Sequence, residues 1–175
     1  MLVLSQIMAY PCYARRVFNI SLTDIILVID TNVMLDHLSQ LDHLFDYNLV
    51  LVFPWAVIQE LDGMKSSSKG DKRRKVTEAI DWIHNKLYGN GAGLKDHKIQ
   101  GKIIFQQSQE DQDWSERFNL KTTKDDHILS VALHFHHLGH RVILITRDKN
   151  LQNKSMIHGV EGRELQFILD QTTKS

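Results

Sequence analysis

Five carboxylates in this chain of 175 residues fall where chemistry is easily built. Asp30 directly follows the apolar run Ile25–Ile29, in Asp30-Thr31-Asn32. Glu60 comes one to two helical turns after a second run, Leu49–Phe53, in Gln59-Glu60-Leu61-Asp62. Asp125 and Asp126 open an amphipathic stretch, and Asp148 follows Val142–Ile145 in Thr146-Arg147-Asp148. Carboxylates held together repel by ~332/(ε·r) kcal/mol, several kcal/mol per pair at ~4–5 Å and an effective ε of ~20. A hard divalent cation removes that cost, and Mg2+ and Mn2+ favour carboxylate oxygens and retained waters. The chemistry such a cation supports is phosphodiester hydrolysis, by acidifying a bound water and stabilising charge on phosphate. Each acid alone has a plainer role: Asp30 or Asp125 as a helix N-cap, Glu60 as an exposed helix residue, Asp148 in a turn. It is their gathering at one edge of one sheet that would make a site.

The elements that must gather them are legible as apolar runs. Ile25–Ile29, Leu49–Phe53, Lys102–Phe105 and Val142–Ile145 are apolar on nearly every residue, which suits strands covered on both faces. Helical periodicity lies between them: Val76, Ile80, Ile83 and Leu87, then Ile128, Ala132 and Phe135 with Leu129 and Leu133 beside them. Pro54 suits a first helical position ahead of Trp55, and Gly162 to Asp170 reads as a short closing helix. Ser66 to Gly70 and Gly89 to Gly93 read as loops flanking a helix over about 72–87. Strands alternating with helices specify an α/β fold, whose ligands collect at the carboxyl ends of the strands.

Composition narrows the classes. Hydrophobic residues are 42% and charged residues 24%, which excludes a disordered, collagen-like or coiled-coil chain. Lys and Arg balance Asp and Glu at 21 each, so a polybasic binder is excluded, while a basic patch beside an acidic site is not. The one cysteine, Cys12, excludes an intrachain disulfide and a thiolate zinc cluster, and a reducing compartment is the easier setting. No apolar run approaches the roughly 20 residues that span a bilayer, so no membrane partner is expected. Residues 1–24 read as an N-terminal extension or linker, 25–170 as one domain and 171–175 as a tail.

Ile25 to Asn32 (IILVIDTN), Phe53 to Lys65 (FPWAVIQELDGMK), Lys124 to Leu133 (KDDHILSVAL) and Val142 to Leu151 (VILITRDKNL) occur in the order of the motifs of PIN-domain (PilT N-terminus) ribonucleases, which they resemble. The second and fourth resemble the eukaryotic Swt-type endoribonucleases of nuclear mRNA quality control. The resemblance implies a three-layer α/β/α fold with a central, mostly parallel sheet of about five strands. It implies catalytic acids at Asp30, Glu60, Asp125 and Asp148, with Asp126 as the neighbouring metal-ligand candidate and Asn32 and Thr146 as polar supports. It also implies Mg2+ or Mn2+ as cofactor, single-stranded RNA as substrate, products with a 5′-phosphate, and a nuclear setting. Its partners would be mRNA-processing proteins or further domains of a longer parent chain. Where the family often has Asn before the third acid, this chain has Lys124.

Lys65, Lys69, Lys72, Arg73, Arg74 and Lys75 form a run broken by one acid, Asp71, and Arg147 and Lys149 flank Asp148. Lys65, Lys69, Lys72, Arg73, Arg74, Arg147 and Lys149 are the candidates for RNA phosphate contacts. Trp55, Trp82 and Trp114 could stack on bases, but core packing is the default for residues in helical patterns. His134, His136, His137 and His140 have spacings that can bind zinc, yet read as a solvated patch opposite the acidic edge, while His127 lies closer to the acids. The rival enzyme class, a phosphoaspartyl phosphatase, needs a second Asp two residues after the first, where Asn32 stands. The rival binding class is a PIN module that scaffolds RNA or protein without cleaving.

Overall fold

The computed structural model describes residues 20–88 and 103–172. Five strands form one parallel sheet: β1 (Ile25–Ile29), β2 (Leu49–Phe53), β3 (Ile103–Phe105), β4 (Arg141–Ile145) and β5 (Glu161–Arg163), in the order β3-β2-β1-β4-β5. Ile26, Leu27, Val28 and Ile29 are wholly buried, because helices cover both faces of the central strand. That is the three-layer α/β/α arrangement, and it explains why β1, β2 and β3 are apolar at every position.

Eight helices connect the strands among the described residues: α1 (Thr31–Asp36), α2 (Leu38–Leu41), α3 (Trp55–Ser67), α4 (Gly70–Tyr88), α5 (Ser108–Arg117), α6 (Lys124–His137), α7 (Lys149–Ile157) and α8 (Leu165–Thr172). The chain runs β1, β2, β3 to one side and then returns to place β4 against the other side of β1. The strand order therefore reverses between β1 and β4, and the crevice outside their carboxyl ends is where an open parallel sheet receives ligands. No helix among the described residues is long and apolar enough to cross a membrane.

Three local readings of the sequence are corrected. Ser66 and Ser67 continue α3, since their hydroxyls donate back to the Gly63 carbonyl at 3.2 and 3.0 Å, and the break is confined to Ser68 and Lys69. Gly70, at φ +58, then opens α4 in a conformation that favours glycine. Pro54 is the N-cap of α3 rather than its first helical residue. Gly162 belongs to β5, and the closing helix starts at Leu165. The Gly89–Gly93 stretch, Lys102 and Cys12 lie outside the described residues.

Gly162 shows what made its segment illegible. A Cβ there would meet Ser155 Oγ at 2.6 Å and Gln152 Cα at 2.9 Å, so β5 depends on a close approach to α7 that no local period records. Gly162→Ala is expected to lower stability by about 1–3 kcal/mol through overpacking. Urea unfolding checks it, and an unchanged midpoint would show that α7 shifts freely.

Candidate active site

Asp30 leaves the central strand at its carboxyl end. Its backbone N–H donates to the Ile145 carbonyl at 3.1 Å, carrying the β1–β4 pairing one residue past the strand. Asp30 caps α1, with Oδ1 accepting from the Thr31 N–H at 2.6 Å. Its Oδ2 accepts from the Thr146 hydroxyl at 2.5 Å and from the Asn32 amide. Asn32 Oδ1 accepts from the Arg147 N–H at 3.2 Å, and Thr146 Oγ1 accepts from the Asp148 N–H at 3.0 Å. Thr31 donates its hydroxyl to Glu60 Oε2 at 2.7 Å. The three residues Asp30-Thr31-Asn32 thus tie the end of β1 to α3 on one side and to the end of β4 on the other.

Asp148 caps α7, its Oδ1 accepting from the Asn150 and Leu151 N–H groups at 2.7 and 3.2 Å. The capping role weighed for Asp30 is therefore real, Asp148 is a cap where a simple turn was the plainer reading, and capping fixes both carboxylates at the crevice. Asp125 is not a cap, since Thr123 caps α6.

The adjacent acids divide. Asp126 is 7% exposed and has both oxygens engaged. Oδ2 accepts from the Thr122 hydroxyl at 2.5 Å and the Thr123 N–H at 3.2 Å, and Oδ1 from Lys154 Nζ at 2.9 Å. Burial raises its pKa, but the hydrogen bonds from Thr122, Lys154 and Thr123 prevail and hold it at about 2. Asp125 has no hydrogen-bond partner among the described residues. Burial pushes its carboxyl up, then repulsion from Asp148, Asp126 and Glu60, with Lys154 opposing. Asp30 is also raised, first by burial and further by Glu60 and Asp125, against hydrogen bonds from Thr146 and Thr31. Asp125 thus links the set, repelling Asp30 and repelled by Glu60 and Asp148, while Asp30 also lies in the field of Glu60.

This chemistry fits a hard ion. The donors are oxygens only, and positive charge relieves the repulsion that raises Asp30 and Asp125. Among the described residues no three Asp, Glu, His or Cys side chains converge closely enough to ligate one ion together. Such a set suits a hard divalent ion that keeps waters between itself and part of its ligands, rather than a dehydrated site.

The expected cations sort into two groups. Arg74 pairs with Asp71 and Glu78 at 2.7 and 2.6 Å, Arg147 with Asp36 at 3.0 Å, and Lys149 with Glu164 at 3.1 Å. Lys65, Lys69, Lys72 and Arg73 make no ion pair among the described residues. Asp36 takes Lys75 at 2.9 Å as well as Arg147, which sets the first turns of α4 beside the end of β4.

His127 is held by Asp111 of α5 at 3.0 Å. The expectation of a solvated histidine patch fails for His134, which stacks on Trp114 at 3.7 Å and has its pKa lowered to about 4, chiefly by burial. His136 and His137 are exposed. Trp114 is buried and Trp82 packs against Phe53 at 5.5 Å, as core residues do. The sequence reading missed Thr31, Thr122 and Lys154. Thr31 had a signal, being the middle residue of a strand-to-helix junction, whereas Lys154 reaches its partner from another helix.

Asp125→Asn follows from these signs. The folded carboxyl titrates above the unfolded value of about 3.9, so ionised Asp125 destabilises the fold above that pH and is without effect well below it. The metal-free variant is expected to melt higher than wild type at pH 7 and equally at pH 3. Melting curves in chelator check this, and a lower midpoint at pH 7 contradicts it.

A family model described as PIN domain matches residues 27–166, a span that includes all the acids of the crevice. The human "Transcriptional protein SWT1" is 35% identical over 154 residues, 82% of this chain and 16% of that protein. The Saccharomyces cerevisiae protein of the same name is 30% identical over 148 residues, 76% of this chain and 30% of its own length. The Schizosaccharomyces pombe relative is 28% identical over 142 residues, 77% of this chain and 27% of that protein. The chain therefore spans less than a third of the length of these curated relatives. A solved domain of a functionally unknown protein from Methanocaldococcus jannaschii has the same fold, with a TM-score of 0.51 and 18% identity over 81% of this chain and 91% of that one. The chain belongs to the PIN-domain family, whose architecture is of nuclease type, and stands within it beside the Swt1 sequences.

Proposed function

We propose that the chain is a divalent-metal-dependent endoribonuclease that hydrolyses phosphodiester bonds of single-stranded RNA. The observation carrying this reading is the gathering of acids at the carboxyl edge of the sheet: Thr31 ties Glu60 to the end of β1 beside Asp30, Thr146 ties Asp30 to the backbone of Asp148, and Asp125 repels Asp30 and is repelled by Glu60 and Asp148. Mg2+ or Mn2+ bound there supplies positive charge at the attacked phosphate and a more acidic water. Asp30 and Asp125 would hold it. Three hydrogen-bonded neighbours orient Asp30 before any ion arrives, and Asp125 carries two oxygens without hydrogen-bond partners among the described residues. Asp148 caps α7 through Oδ1 and keeps Oδ2 to accept from a water. Glu60 is aimed by Thr31 and can accept from a second water. In-line attack by water leaves a 5′-phosphate and a 3′-hydroxyl.

Lys65, Lys69, Lys72 and Arg73 are the cations left for the RNA backbone, while Arg74, Arg147 and Lys149 serve the fold's own acids. The relatives are named transcriptional proteins, which supports a setting close to transcription; nuclear RNA quality control is the role we assign within it. Their greater length supports further domains, on a longer chain or on mRNA-processing partners, that would choose the RNA.

Pure folded protein is expected to cleave an unstructured RNA only with Mn2+ or Mg2+. Asp125→Asn is expected to lose at least ~10²-fold, the order seen when a main charge-stabilising group goes. Absence of metal-dependent product would leave the scaffold role, and near-wild-type cleavage by the variant would put the centre elsewhere. For binding, replacing Lys65, Lys69, Lys72 and Arg73 together by Gln should flatten the slope of log K against log salt by about 3, at ~0.7 per phosphate contact. A filter-binding series in rising salt reads this, and an unchanged slope would move the RNA path off the junction of α3 and α4.

A further inference from the structure

We propose that Lys154 is a built-in cation of the crevice: it holds Asp126 out of the ligand set and restricts the site to a single divalent ion. The inference rests on the metal-dependent reading above.

Lys154 lies in α7, the helix that Asp148 caps, and reaches across to α6. Its Nζ is 2.9 Å from Asp126 Oδ1, while Thr122 and Thr123 occupy Oδ2. Asp126 is hydrogen-bonded no more fully than Asp30, but its Oδ1 meets an ammonium where Asp30 meets only neutral donors, so a cation already holds the place an ion would take. The ammonium also acts on Asp125 itself, opposing the repulsion from Asp148. On the other flank, Lys124 Nζ stands 3.7 Å from Glu60 Oε1. Five carboxylates and these two ammonium groups leave three negative charges in the crevice. One divalent ion leaves one negative charge, and a second would reverse the sign beside a lysine already seated there. Removing the Lys154 charge frees Asp126 and restores the deficit that a second ion would fill.

The test is the number of Mn2+ ions bound per chain, by calorimetry and by loss of the free-ion paramagnetic resonance signal, without RNA. Wild type and Lys154→Arg should bind one. Lys154→Met should bind two, and adding Asp126→Asn to it should return the count to one. Lys154→Gln repeats the measurement with a polar side chain should the Met variant fold poorly. Two ions in wild type, or one in both the Met and Gln variants, would overturn the role of Lys154 and leave the nuclease reading standing. No bound Mn2+ in wild type would overturn both.

Discussion

Asp30 is 6% exposed, ends the central strand and lies in the field of two further acids. A carboxylate in that position is tolerated only where donors meet it, because a buried charge without hydrogen bonds is far costlier than a surface one. The surrounding sequence supplies those donors from both directions. Thr31 and Asn32 follow it along the chain, and Thr146 comes from the end of the neighbouring strand. The same donors are also connectors, since Thr31 turns Glu60 inward and Thr146 and Asn32 fix the backbone leading to Asp148. Satisfying one buried charge thus places three of the crevice's acids.

Parallel topology explains why so few residues suffice. β1 and β4 pair in register from Ile25 with Arg141 to Ile29 with Ile145, so the residues following both strands emerge side by side. Each then starts a helix whose first N–H groups need acceptors, and Asp30 and Asp148 supply them. Partial positive charge at a helix N-terminus in turn favours the ionised acid. Capping the helices and placing the crevice's acids are one requirement here. That is why weighing a cap against a site at Asp30 could not separate the two.

What the sequence disclosed follows from this. Strands buried on both faces leave apolar runs, and acids at their carboxyl ends stand out against them, so β1, β2, β4 and the positions of Asp30 and Asp148 were legible. The exceptions depend on contacts between segments far apart in the chain. β5 exists because Gly162 fits against Gln152 and Ser155, and no periodicity marks a three-residue edge strand. Ser66 and Ser67 look like loop residues by composition, but their hydroxyls bond within the helix. What distinguishes Asp126 from Asp125 was hidden in sequence, because its partner Lys154 is 28 positions away. The cations around α4 were readable as a run, but which of them remained free was settled by Asp36, Asp71, Glu78 and Glu164.

The two ends of α6 give way to acid at different pH, and this shows how the helix divides its work. At its start, Asp126 has a depressed pKa, so its stabilising contribution is complete above about 3.9 and is lost only as pH falls through about 2. Near its end, His134 is held neutral against Trp114 with a pKa of about 4. Neutral His134 therefore supports the fold fully above about 6.5, and that support declines as pH falls from there toward 4. Mild acid thus loosens the packed end of α6, where Trp114 and Phe135 meet the histidine, before it releases the N-terminal turn that holds Asp126. The helix is anchored most acid-resistantly at the end that borders the crevice, because hydrogen-bonded charge survives there after the neutral stack has begun to protonate.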